Sequence, residues 1–176
     1  MRRTAVFIAL FLLASSGLGL AQTRTRPDQA RAADWQALES HVVRQLACRG
    51  QPAFASAVLY LGRRSVIGID RKEGYDSITC WRTTRPTSIR GLPVHAVCGY
   101  DNDQLTQLLH PQLFSRARGT APPSTFAIVT SAPAATAQAW ATQNLGEPAP
   151  RSRWIVEASP LYSGYSELRC ATSGAD

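Results

Sequence analysis

The runs DSITCWRTT (Asp76–Thr84) and LPVHAVCGY (Leu92–Tyr100) are built from β-branched, aromatic and small apolar residues, with a Pro/Gly region from Pro86 to Gly91 between them. That composition and spacing predict an antiparallel strand pair joined by a turn. Side chains alternate across a strand with a period of two. Ile78 and Cys80 are therefore expected on one face of the first strand, and Val94, Ala96 and Cys98 on one face of the second. Both cysteines can then point into the core, while His95 falls on the opposite side with Trp81. A half-buried or surface role is the better reading of His95 than a catalytic one.

On the N-terminal side of this pair, Trp35, Leu38, Val42 and Leu46 recur at steps of three and four and predict an amphipathic helix ended by Gly50. From Pro52 to Leu61 helix is favoured over strand, and Ser65–Ile69 reads as a strand. On the C-terminal side, Asp101 at N-cap with Gln104 at N3 is a capping-box pattern before Leu105, Leu108 and Leu109 and predicts a short helix. Past a Pro/Gly/Arg loop from His110 to Pro123, Ser124–Thr130 reads as strand, Pro133–Asn144 as an Ala-rich helix closed by Gly146, and Arg151–Ala158 as strand. A last strand, Glu167–Ala171, carries Cys170. The expected fold class is α+β, mainly an antiparallel sheet, with an N-terminal amphipathic helix, two or three further helices and disulfide staples.

The first residues read MRRTAVFIALFLLASSGLGLAQ: two arginines, an apolar run from Ala5 to Ala14, then small residues. This is the pattern of a cleavable secretory signal over residues 1–21, with cleavage after Ala21. A flexible segment over 22–32 and one globular domain over 33–172 follow. An even count of four cysteines, Cys48, Cys80, Cys98 and Cys170, favours two disulfides in an exported protein. Of the three pairings open to four cysteines, facing strands favour Cys80 with Cys98, which leaves Cys48 with Cys170. Lys72 is the only lysine beside eighteen arginines, a bias of GC-rich bacterial coding that points to a periplasm. With Arg2 and Arg3 removed, 17 basic residues face 12 acidic ones, a mature net charge near +5 suited to acidic partners.

The motifs of common chemistry are missing from the chain. There is no G-x-S-x-G, H-E-x-x-H, P-loop or G-x-G-x-x-G, and Ser163 and Ser166 stand in a turn with no marked partner. The Asp101–Asp103 acidic stretch lacks the glycine and glutamate of a calcium loop, so capping explains it better than metal binding. No C-x-x-C or C-x-x-H spacing occurs. The reading is therefore of a protein that is not an enzyme and needs no metal or cofactor. Arginines at strand ends and loops, interspersed with aromatics, fit either nucleic acid or a protein partner. Export disfavours nucleic acid. The expected partner surface is Trp81, Arg82, Arg85, Arg90 and Tyr100, with no membrane span and with homodimer formation left open.

In size, signal segment and cysteine use, the chain resembles the small periplasmic immunity proteins that bacteria make against toxic effectors delivered by type VI or type IV secretion systems. The resemblance implies a periplasmic inhibitor that binds and neutralises one cognate protein toxin without chemistry of its own. The alternatives are a periplasmic enzyme such as a cell-wall hydrolase with an unrecognised site, and a lysozyme-type inhibitor. The last fits less well, because a basic inhibitor is repelled by a basic enzyme.

Overall fold

In a computed structural model, which describes residues 27–115 and 122–172, the two cysteine-bearing runs are neighbouring antiparallel strands. The elements are α1 (Pro27–Leu46), α2 (Phe54–Arg63), β1 (Ile67–Tyr75), β2 (Ile78–Ile89), β3 (Leu92–Tyr100), α3 (Gln104–Leu109), β4 (Thr125–Thr130), α4 (Ala134–Asn144), β5 (Ser152–Ala158) and β6 (Ser166–Thr172). A single 3-10 turn, Pro111–Leu113, follows α3. One six-stranded sheet has the order β1-β2-β3-β4-β6-β5, and every neighbouring pair is antiparallel. The α+β class with a mainly antiparallel sheet is the fold. Strands β4 and β5 flank helix α4 in sequence, as expected of a strand-helix-strand unit, but β6 is inserted between them. The signal-like stretch 1–21 and residues 116–121 of the Pro/Gly/Arg loop lie outside the described residues.

Helices cover one face of the sheet. Phe54, Val58 and Leu61 of α2 repeat at helical spacing and are buried with Leu38, Val42 and Leu46 of α1 against Trp81, Val97, Phe126, Ile128 and Leu168. Trp81 is fully buried and its indole N–H donates to the Ile69 carbonyl at 3.1 Å. Gly99 is required where Phe54 crosses β3, because a Cβ there would lie 2.5 Å from the Phe54 ring. The other sheet face carries a smaller cluster of Cys80, Ala96, Cys98, Ala127 and Val129, closed by Tyr162 from the β5–β6 connection.

Both disulfides have the expected pairing. Cys80 and Cys98 are direct cross-strand partners with Cα atoms 4.0 Å apart. Cys48–Cys170 joins the chain just past α1 to β6, across 122 residues of sequence.

Several boundaries differ from the sequence reading. Helix α1 starts at Pro27, well inside the segment expected to be flexible, because proline suits the first helical position. It ends at Leu46 rather than Gly50: Cys48 already takes a left-handed backbone (φ 56°). Strand β1 runs on from Ile69 through charged residues to Tyr75, which an edge strand with exposed side chains permits. Strand β2 passes through Pro86, so the turn is only Arg90–Gly91, both at positive φ as a tight two-residue hairpin requires. Pro86 is tolerated because the β2–β3 register shifts between Arg82 and Thr87. The same irregularity breaks the expected alternation. Val94 joins the helix-side core, and His95 turns away from Trp81 to lie 4.3 Å from Tyr165 and 5.0 Å from Tyr162, ring centre to ring centre.

Candidate functional site

The α3 cap is built from Asp103 rather than Asp101. The Asp103 carboxylate accepts from the Leu105 N–H at 3.0 Å and the Thr106 hydroxyl at 2.8 Å, while Asp101 accepts the Asp103 N–H. Helix capping and loop bonds thus occupy the acidic stretch. Gln107 reaches back from α3 to the Tyr100 hydroxyl and the Asp101 carbonyl, at 2.8 and 2.7 Å, which fixes the helix on the end of β3. No α3 residue is buried. Leu105, Leu108 and Leu109 are 60%, 76% and 62% exposed, on a helix held firmly at both its cap and its base.

Beside α3 the uncovered sheet face opens into a cavity of about 440 Å³, reached past the β1–β2 turn and the start of β4. The Ser124 hydroxyl on its wall donates to the Asn102 side chain at 2.6 Å, tying cavity and α3 loop together. Glu167 of β6 is at the floor, 1% exposed. The Tyr75 hydroxyl, from β1, lies 2.8 and 3.0 Å from its two carboxylate oxygens. Burial raises the Glu167 carboxyl above its ordinary range, against the lowering effects of Tyr75 and Arg169. Burial and then the Glu167 charge push the Tyr75 phenol up, so it remains a donor. Glu157 of β5 is the direct cross-strand neighbour of Glu167, and Arg169 pairs with Glu157 at 2.7 Å.

The five residues expected to form a partner surface do not converge. Trp81 is core. Arg82 is exposed, pairs with Glu73 at 2.8 Å and lies over the Tyr162 ring at 5.0 Å. Arg85 is exposed in the irregular part of β2. Arg90 works at the hairpin: its N–H donates to Glu39, its guanidinium to the Asn144 carbonyl, and its carbonyl accepts the Trp140 indole N–H. Tyr100, at the far end of β3, stands at the base of α3. Among the described residues no three side chains of His, Cys, Asp or Glu gather as a metal-holding group, and no helix is long and apolar enough to cross a membrane.

Sequence reasoning missed Tyr75, Glu157, Glu167 and Arg169. The alternation of Glu167, Leu168, Arg169 and Cys170 does signal a strand with one polar face. What it lacks is any sign that a cavity would open on this face.

The molecule is thus a doubly disulfide-bonded α+β domain with an exposed apolar helix, and with a cavity that holds buried Glu167 on the sheet face that carries no helix. No family model matches the chain, and no curated protein or solved structure matches it.

Proposed function

We propose that this is an exported binding protein of the bacterial periplasm, an immunity-type inhibitor that neutralises a cognate protein toxin by docking through α3. The observation that carries this reading is the leucine triad. Water-exposed leucines at 60–76% on one short helix forfeit burial worth about 1.5–3 kcal/mol each, and they stand together on a helix anchored by its own cap and by Gln107. Exposed apolar patches on otherwise polar surfaces mark interaction sites. Two disulfides suit an oxidising compartment and give the rigid platform that lowers the entropic cost of binding.

The test is rescue. A candidate toxin encoded beside this gene is exported to the periplasm together with the full chain, with a chain lacking residues 1–21, or with the triple variant Leu105→Ser, Leu108→Ser and Leu109→Ser. Survival is expected with the full chain alone. Equal survival with the triple variant removes α3 from the interface, and equal survival without any inhibitor removes the immunity reading. Turnover of a cell-wall substrate by the purified protein would establish the enzyme alternative instead.

A further inference from the structure

We infer that the cavity beside α3 is the seat of a single cationic side chain, an arginine or lysine presented by the protein partner. The inference rests on the binding role proposed above and names what the partner must carry.

Glu167 supplies the first argument. Its carboxylate is almost wholly buried yet borders a cavity of about 440 Å³, within the range of small-ligand pockets. An ionised carboxylate offers about four acceptor positions. Among the described residues its side chain receives one donor hydrogen, that of the Tyr75 hydroxyl shared between both oxygens. A buried anion so poorly supplied with donors is costly unless a counter-charge arrives.

The neighbouring charges make the same point independently. Glu157 and Glu167 are directly opposite each other on β5 and β6, an arrangement that is repulsive across a sheet. Arg169 is bonded to Glu157, through both Nε and Nη2, and its side chain makes no such bond to Glu167. Asp76 adds a third carboxylate at the rim. Among the described residues three carboxylates therefore line the cavity with one guanidinium, in a chain whose overall charge is +7. The walls suit the rest of such a side chain: Ile78, Ala127 and Pro160 line the cavity with apolar surface against which a methylene stem can lie while its charged head reaches Glu167. A guanidinium is the better fit, since a planar fork can bond a carboxylate through two N–H groups.

The probe is butylguanidinium chloride titrated into the purified, disulfide-intact protein, followed by amide chemical shifts. Butyrate and butanol are the controls. Saturable binding of the cation, with shifts at Tyr75, Glu167 and Arg169 and none with butyrate or butanol, is the expected result. Glu167→Gln should weaken it about tenfold or more, and Asp76→Asn, at an exposed turn residue that leaves the interior untouched, by a smaller factor. Absence of saturable shifts, or equal shifts with butyrate, overturns the cavity inference and leaves the α3 reading standing. If butylguanidinium binds while Glu167→Gln leaves effector affinity unchanged, the cavity serves a free cation and the assignment to the partner is overturned.

Discussion

Glu167 is the residue on which local physics and function pull in opposite directions. Its folded-state pKa is raised by burial, so between its ordinary value and the raised one the folded protein keeps a proton that the unfolded chain has released, and above the raised value it is a buried anion. Such a group leaves stability intact below its ordinary value of 4.5 and costs stability as pH rises from there through the raised value. In a series from about pH 4 to about pH 8, Glu167→Gln, which cannot ionise, should therefore gain on the wild type above 4.5 and hold a constant advantage once the raised value is passed. Thermal melts across that range check this; parallel profiles would contradict it. His95 carries the opposite sign. Burial, and then Arg82, lower its pKa, so its contribution is present above its ordinary 6.5 and is lost as pH falls through the lowered value. Replacing it with Phe between Tyr162 and Tyr165 should flatten the acid side of the wild-type profile, read from the same melts; an unchanged acid limb would contradict that sign.

Among the elements, the strands and disulfides were the most legible part of the sequence. Cys80 and Cys98 fall at facing positions because strand period and a short hairpin leave little freedom. The helices α2 and α4 were equally readable from composition. The misreadings of the β2–β3 pair have one physical origin, the irregular stretch of β2. Pro86 looks like a turn residue, yet a register shift lets it stay in the strand, and that shift reverses the faces of Val94 and His95. The candidate site was less legible still. The spacing of Leu105, Leu108 and Leu109 predicts a helix with an apolar stripe, but periodicity is the same whether the stripe meets the core or a partner. Trp81 shows the converse: an aromatic beside arginines suggested a binding surface and is the largest of the fully buried side chains.

The two disulfides also differ at this scale. The Cys48–Cys170 bond closes 122 residues and the Cys80–Cys98 bond 18. In the chain-entropy view the first removal costs about 5 kcal/mol and the second about 3 kcal/mol. Paired Cys→Ala variants in denaturant titrations should fall in that order, and the reverse order would show that strand packing around Cys80 and Cys98 outweighs loop closure.

At the level of the whole molecule, a basic chain carries an acidic cavity and an exposed apolar helix, and in the proposed complex these features would act at different moments of binding. Net charge governs the encounter, whereas buried contacts govern dissociation. Raising salt from about 50 mM to about 500 mM should slow association with an acidic effector surface while Glu167→Gln mainly speeds dissociation. Stopped-flow and surface-capture kinetics on the same pair separate the two, and a salt-independent association rate would remove the steering argument.

The proposed function makes α3 the docking element of an inhibitor. Its most direct test is to titrate the purified effector's own activity with this protein and with its Leu108→Asp variant, after confirming that both melt alike. Complete inhibition is expected at one inhibitor per effector with the wild type, and at least a tenfold higher requirement with the variant, as for loss of a central hot spot. Identical titration curves, or an effector that stays active at stoichiometric excess of the wild type, would contradict it.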